Sequence, residues 1–248
     1  MKKILVLFIL TLQTLFSATS KEILDYLSLS HSEEEVLGIE QVFNSMRQSQ
    51  ENNESNASTT QVSIVYQEYL EEHISSHEIN KLLALYRTPI MNRYVAEVEN
   101  FNITQDDMNA FLASLKEEPL LSEREEIVNH IVQVLVNEAL QLNFYRSMMQ
   151  RYTDKNSSSQ SNNEKNETKM TTKEKGYINA MKISSKNKLL YGSQVFSLEE
   201  MNELKDAIDS SIFKKIKRVE NEALVQIMND FIRGIVSEPK RPKEKKNK

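Results

Sequence analysis

The chain has 248 residues, enough for one large or two small domains, and its 39% hydrophobic and 27% charged residues are the usual balance of a soluble globular protein. A net charge of −5 argues against a nucleic-acid binder, and the lack of cysteine excludes disulfides, thiolate metal sites and cysteine nucleophiles. Only four glycines and four prolines occur, which disfavours a many-stranded β protein. The composition therefore favours long helices and an all-α fold, a helical bundle.

The first twenty residues have the pattern of a secretory signal peptide. Lys2 and Lys3 form a short basic start, the stretch 4–12 is almost wholly apolar, and Ala18 and Ser20 are small residues at the positions that signal peptidase reads. The apolar stretch is shorter than the roughly 20 residues that cross a bilayer. We predict a periplasmic or secreted protein cleaved after Ser20, with an uncleaved membrane anchor as the alternative.

Apolar residues recur at helical spacing in the following hundred residues. Ser32 and Glu35 predict a capping box at the start of the first helix, in which each side chain accepts a hydrogen bond from the other residue's backbone N–H. This helix is expected to reach Met46. Further apolar stripes predict helices within 62–70, 79–86, 90–101 and 108–115.

The second half of the chain shows the same periodicity. Ser122 and Glu125 predict another capping box, which opens one long helix with apolar positions throughout 127–149. Three more helical segments are predicted over 177–191, 201–216 and 224–235.

Polar segments divide this helical pattern into two units. Residues 21–117 are expected to form the first unit, with a disordered loop over 47–60, and residues 118–236 the second, with a disordered loop over 153–175. These loops are too poor in apolar side chains to offset the entropy of ordering them. The basic segment 237–248 is predicted to be a disordered tail.

One capping-box motif occurs twice, with Ser75 as the cap residue of the first copy and Ser197, 122 residues later, as that of the second. An apolar residue precedes the box and another follows it, which is a hydrophobic staple. The corresponding residues are Ile74, Ser75, Glu78 and Ile79 in one copy and Phe196, Ser197, Glu200 and Met201 in the other. Because box, staple and preceding loop agree together, we predict an internal duplication whose two units pack on each other. The alternative is that any two capped amphipathic helices look alike.

Thr88 and Pro89 indicate a helix boundary in the first copy. Proline suits the first turn of a helix and threonine is a good N-cap, so one helix should end near Arg87 and the next begin at Pro89. The second copy has Ser210 and Ser211 at the matching positions. We therefore predict a sharper break in the first copy.

The first copy resembles the signature of a bacterial exported family, the domain of unknown function 2059. That signature combines an apolar residue, Ser or Thr, Glu-Leu, an aromatic pair and Ser/Thr-Pro. The matching positions, all structural, are Ser75, Glu78, Ile79, Leu82, Tyr86, Thr88 and Pro89, with Ser197, Glu200 and Met201 in the second copy. The match is clearest over 60–101 and weaker near 177–221. The resemblance implies a small helical envelope protein and brings no catalytic residues and no cofactor.

Reactive constellations are not evident in the sequence. His73 and His77 have the spacing of a helical metal pair, but the predicted cap Ser75 between them should place them on different helices. His130 is expected to flank an apolar stripe rather than to act as a base. Acidic clusters fall in first helical turns, where carboxylates favour the helix dipole. We predict no catalytic residue, no cofactor and no metal site.

The tyrosines at helical spacing are expected to lie in the core with their hydroxyls at its rim, and a ligand-facing role is the alternative. These residues are Tyr66, Tyr69, Tyr86, Tyr94 and Tyr145.

Three functional hypotheses follow. The first is a non-enzymatic interaction module of the bacterial envelope that binds another envelope protein, with no nucleic acid and at most weak contact between the basic tail and a membrane surface. The second is a carrier of an apolar ligand or lipid held between the two units, and a hydrolase is a remote third. A large cavity between the halves would favour the carrier. Its expected lining is Val62, Leu83, Tyr94, Leu135 and Met149.

Overall fold

A computed structural model describes residues 17–33, 36–41, 61–99, 103–117, 121–154 and 170–232. Regular structure in these ranges is helical, apart from one isolated antiparallel bridge between Ser17 and Ser75, so the all-α prediction is confirmed. None of the helices in these ranges is long and apolar enough to cross a membrane. The predicted loop 47–60, the predicted tail, Glu35 of the first predicted capping box and most of the predicted signal peptide lie outside the described residues.

In the described part of the first half, five helices have defined bounds. They are α1 (Ser20–Ser30), α2 (Gln61–His73), α3 (Ser76–Tyr86), α4 (Pro89–Tyr94), continued by a π-helical turn (Val95–Glu99), and α5 (Gln105–Glu117). Residues 32–33 and 36–41 are also helical. Helix α1 packs on α2 and α3, because its buried stripe of Ile23, Tyr26 and Leu27 faces the core.

Among the residues that the structure describes in the second half, five further helices have defined bounds. They are α6 (Ser122–Leu135), α7 (Glu138–Asp154), α8 (Thr172–Gly192), followed by a 3-10 turn (Ser193–Val195), α9 (Leu198–Asp209) and α10 (Ser211–Ile232). Helix α6 packs on α8 and α9 in the way that α1 packs on α2 and α3. Across the halves, α10 packs on α2 and α3, and α4 packs on α9, so one continuous core joins both.

The single helix predicted across 127–149 is wrong, because the chain leaves the helix at Val136 and Asn137. Val136 is extended, with φ −92° and ψ 99°. The Asn137 side chain then accepts a hydrogen bond from the Leu140 N–H at 3.1 Å, which caps α7. A β-branched run before the break, Val132, Val134 and Val136, lowers helix propensity without disturbing the apolar spacing.

The capping box predicted at Ser122 is also wrong, since Leu121 is the N-cap of α6 and no side chain caps this end. Two capping boxes were not predicted. Thr19 caps α1 inside the predicted signal peptide, and Thr171 caps α8 inside the predicted disordered loop. The predicted bounds of the loop, 153–175, are therefore too wide. Residues 153–154 end α7 and residues 172–175 begin α8, while residues 155–169 lie outside the described residues.

The predicted helix boundary before Pro89 is confirmed, but the break is not sharper than in the second copy. Thr88 has φ −67° and ψ 149°, and Ser210 has φ −56° and ψ 143°. The Thr88 hydroxyl does not cap α4 as predicted, and Thr88 Oγ1 instead donates backwards to the Leu85 carbonyl at 2.7 Å. Ser210 Oγ donates to the Ala207 carbonyl, also at 2.7 Å, and in addition accepts from the Phe213 N–H at 3.3 Å, which caps α10. The same local bond therefore turns the chain in both halves.

Candidate functional site

Both copies of the repeated motif form complete capping boxes. The Ser75 N–H donates to Glu78 Oε2 at 3.1 Å, and the Glu78 N–H donates to Ser75 Oγ at 3.3 Å. The corresponding distances for Ser197 and Glu200 are 2.7 and 3.1 Å. Apolar residues of the motifs are buried, namely Ile74, Ile79, Leu82, Tyr86, Phe196 and Met201. The signature positions therefore start helices and fill the core, as the sequence indicates.

Each capping glutamate also contacts a basic side chain of the other half. Glu78 forms an ion pair with Lys215 of α10, and Glu200 forms one with Arg93 of α4. Arg93 and Lys215 are 122 residues apart in the sequence, as are Glu78 and Glu200. Such reciprocity is the geometry of an isologous interface. Burial raises the pKa of Glu78, but hydrogen bonds from Lys215 and Ser75 outweigh it and lower the pKa to about 2.

A cavity of about 640 Å³ lies between the two halves. Much of its wall is apolar and comes from the end of α6, from α7 and from α10: Leu135, Leu140, Phe144, Leu224, Val225 and Met228. Of the lining predicted from the sequence, Tyr94 and Leu135 are present. Val62 and Leu83 are instead buried in the core, and Met149 is 38% exposed on α7.

A charged cluster lines one part of this cavity and was not predicted. Glu99 accepts hydrogen bonds from the Tyr94 hydroxyl and from Lys188 Nζ, the latter at 3.2 Å. Glu220 accepts a hydrogen bond from the Tyr26 hydroxyl at 2.7 Å and lies 2.8 Å from Lys217 Nζ. We call Glu99, Lys188, Lys217 and Glu220 the charged floor. Its four residues come from the π-helical turn, α8 and α10, so only the folded chain brings them together.

The surroundings of the charged floor keep the Glu99 carboxylate ionised and the neighbouring hydroxyls of Tyr26 and Tyr94 protonated. Burial raises the pKa of Glu99, but the charge of Lys188 and the Tyr94 hydrogen bond outweigh it, so the pKa is lowered. Burial raises the pKa of Tyr26 and Tyr94, and the neighbouring carboxylates raise it further. The Glu99 side chain is 35% exposed although protein surrounds it, because it faces the cavity.

Gly192 allows α8 to approach the π-helical turn that positions Glu99. A Cβ atom at Gly192 would lie 2.8 Å from Val98 Cγ2 and 2.9 Å from Val98 Cα, and closer still to the Glu97 carbonyl oxygen. Such distances are too short for any residue other than glycine without a backbone shift. π-Helical turns occur frequently at functional sites, where the extra residue redirects a side chain. Here the turn places Val98 and Glu99 at the cavity.

The cavity lies where positions related by the spacing of the repeated motif face each other. In three pairs of positions that are 122 residues apart, both residues line the cavity. These pairs are Tyr66 and Lys188, Val98 and Glu220, and Glu99 and Asn221. Under the predicted duplication, a point lined by both members of such pairs would lie on or near the axis that relates the two copies. The paired residues differ in charge, whereas the capping residues of the two motifs match. The charged floor therefore combines Glu99 of the first half with Lys188, Lys217 and Glu220 of the second half.

The histidines lie away from the charged floor, except His31, which lines the cavity. His73 ends α2 and stacks on Tyr69 with ring centroids 3.9 Å apart, while His77 belongs to α3, as predicted. His130 Nε2 lies 2.7 Å from Asp209 Oδ2 and links α6 to α9. Within the described ranges, no three His, Asp or Glu side chains cluster closely enough to hold a metal ion.

One residue of the charged floor, Glu220, could have been recognised from the sequence as a candidate functional residue. Glu220 falls on the apolar stripe of α10, in line with Ile216 and Ala223, and is buried. A carboxylate at such a position needs a partner, which makes it a candidate functional residue.

No family model, no curated protein and no solved structure matches the chain. The family resemblance thus stays a prediction from the signature residues.

Proposed function

We propose that the protein is a non-enzymatic carrier that binds an apolar small molecule in the cavity between its two halves. The observation on which this depends is the cavity itself. Its volume of about 640 Å³ falls within the range of roughly 300–1,000 Å³ typical of small-molecule sites. Aliphatic and aromatic side chains supply the larger part of its wall, which is also typical of such sites, and polar groups that include the charged floor supply the rest.

The interaction module, the first hypothesis from the sequence, has weaker support. The most exposed large apolar side chains in the described ranges are Leu24, Leu121, Ile183 and Val195. They belong to separate elements, namely α1, the segment before α6, α8 and the 3-10 turn. Single exposed apolar residues are normal on a protein surface and do not indicate an interface.

Binding is favoured over hydrolysis by the state of the charged floor. A general base works best with a pKa near the working pH. Glu99 has a lowered pKa and already accepts hydrogen bonds from Tyr94 and Lys188, so it is a weak proton acceptor. The arrangement suits recognition of a bound group rather than proton transfer.

Export of this carrier to the periplasm or cell exterior is part of the proposal, and it rests on the basic and apolar pattern of the first twenty residues. The envelope family resemblance points to the same compartment. Fractionation of cells that produce the chain, followed by mass measurement of the product, tests this. A full-length product in the cytosol would contradict export.

The carrier proposal is tested with the uncharged fluorescent probe N-phenyl-1-naphthylamine, titrated into the delipidated protein. We expect saturable binding of one probe per chain. Val225→Trp fills the apolar wall and should weaken binding about tenfold or more, since one lost apolar contact group changes affinity by about 1–3 kcal/mol. Val195→Trp adds the same ring at an exposed site outside the cavity and should leave binding unchanged. No binding to the unaltered protein, or equal binding to Val225→Trp, would overturn the proposal.

A further inference from the structure

We infer that the ligand is a single-chain amphiphile with a carboxylate head, and that the Lys188 ammonium binds this carboxylate. The inference rests on the proposed carrier function and adds the chemical class of its ligand. It comes from the exposure and the unused donor of Lys188, from the apolar side chains that also line the cavity and from the chemical difference between positions 122 residues apart.

Lys188 has hydrogen-bonding capacity beyond its contacts with Glu99. Its Nζ lies 3.2 Å from Glu99 Oε2 and 3.3 Å from the Glu99 carbonyl oxygen. Ammonium-to-carboxylate bonds are usually about 2.7–2.9 Å long, and an ammonium group has three N–H donors. The side chain is 42% exposed and lines the cavity. A third donor and two long contacts therefore leave Lys188 able to bind an incoming acceptor.

The carboxylates of the charged floor are less accessible to a ligand than Lys188. The Glu220 side chain is 4% exposed and the Glu99 side chain 35%, against 42% for Lys188. Glu99 also accepts bonds from Tyr94 and Lys188, so a cationic head would share it with two donors that are already bound. An acceptor head adds to the cluster without breaking it. The two ammonium and two carboxylate groups sum to zero, so no net negative charge opposes an anion.

Apolar side chains of other elements line the cavity, together with amide side chains such as those of Asn143 and Asn229. The apolar residues of α7 and α10 that line the cavity lie in different elements from Glu99 and Lys188, which the π-helical turn and α8 supply. At the spacing of 122 residues Lys188 corresponds to Tyr66 and Glu99 to Asn221, so the pair of Glu99 and Lys188 has no charged counterpart in the cavity wall. A molecule with one polar end matches this distribution, whereas a molecule with two identical ends does not.

Displacement of N-phenyl-1-naphthylamine by laurate, dodecanol and dodecylamine tests the inference at pH 7. The three molecules share one chain length and differ in head charge. We expect laurate to bind about tenfold or more tightly than dodecanol, because a hydrogen bond to a charged group contributes about that much. Lys188→Met keeps the unbranched stem but removes the charge, and it should abolish the preference for laurate while changing dodecanol binding little.

Lys186→Met is the matched control, because Lys186 lies on the same helix, forms an ion pair with Glu125 and does not line the cavity. It should bind laurate like the unaltered protein, and equal melting temperatures of the two variants would show that both fold. Equal affinities for laurate and dodecanol, tightest binding of dodecylamine, or an unchanged laurate preference in Lys188→Met would each overturn the inference. Those results would leave the carrier function standing, whereas failure of all three molecules and of the probe would remove the carrier function itself.

Discussion

At the residue scale, the capping box of α1 joins two helices as well as starting one. The Thr19 N–H donates to Glu22 Oε2 at 2.8 Å. The same glutamate accepts hydrogen bonds from two side chains of α3, Ser76 at 3.0 Å and Asn80 at 2.7 Å. Just before it, the Ala18 N–H donates to the Ile74 carbonyl at 2.8 Å. The chain immediately before Ser20 is thus part of the folded first half.

This arrangement predicts how the N-terminus affects stability. A chain that begins at Lys21 lacks Thr19 and the Ala18 bond, and it should be less stable than a chain that begins at Ala18 by about 1 kcal/mol or more. Urea unfolding of the two forms measures the difference. Within the longer form, Thr19→Ala should reproduce most of the loss and Thr19→Ser should retain the cap. Equal stabilities would show that the box contributes nothing.

Glu78 predicts a stability loss in acid. Its pKa is about 2 in the folded chain, against an ordinary value of 4.5, so the folded state favours the ionised form. The corresponding stabilisation is fully present above about pH 4.5 and is lost as the pH falls towards 2. Glu78→Gln should therefore show a smaller decrease in unfolding free energy between these pH values. Parallel pH profiles of variant and unaltered protein, measured by chemical denaturation, would contradict this assignment.

At the element scale, close packing of α8 on the π-helical turn depends on Gly192. Gly192→Ala should destabilise the fold by about 1–3 kcal/mol, because the added methyl group meets backbone atoms of Glu97 and Val98. Gly176→Ala is the matched control in the same helix, where the methyl group meets nothing within 4 Å. It should stabilise by about 0.5–1 kcal/mol, since alanine is the better helix former. Thermal unfolding distinguishes the two, and a neutral Gly192→Ala would contradict the packing argument.

Helix existence was predictable from apolar spacing, whereas helix ends depended on single side chains. The spacing continues in phase from α6 into α7, so it gives no sign of the break that Asn137 creates by capping α7. In the same way, the polar composition around Thr171 hid a capped helix start. Periodicity reports which face is buried, but one hydrogen bond of a side chain decides where a helix begins.

At the scale of the whole molecule, the duplication predicted from the motif has support from the reciprocal contacts. Glu78 with Lys215 and Glu200 with Arg93 relate the halves in both directions. The packing of α1 with α2 and α3 also recurs as α6 with α8 and α9. The duplication stays a prediction, and these contacts are what a pair of equal units would retain.

The reciprocal pairs should contribute unequally to stability. Lys215→Met removes one partly exposed ion pair, which contributes about 0.2–1 kcal/mol. Arg93→Met should have a larger effect, because Arg93 also donates to the Val195 carbonyl at 2.7 Å and lies 4.7 Å above the Phe196 ring. Urea unfolding measures both, with the exposed Arg87→Met as the control expected to change little. A larger effect of Lys215→Met would reverse this ranking.

The cavity could be anticipated only in part from the sequence. Tyr94 and Leu135 were expected there because they belong to apolar stripes of different halves. Glu99 and Lys188 were not, since a π-helical turn and a glycine contact bring them together and neither leaves a periodic trace. A site between two units depends on how the units dock, which local patterns do not report.

A pocket between two copies of one unit would bind a ligand equally well in two opposite orientations if the walls of the pocket were also identical. The mismatched pairs here, Tyr66 with Lys188 and Val98 with Glu220, remove that degeneracy. In the proposed carrier, an occupant would consequently bind in one orientation only, with its polar end at Lys188.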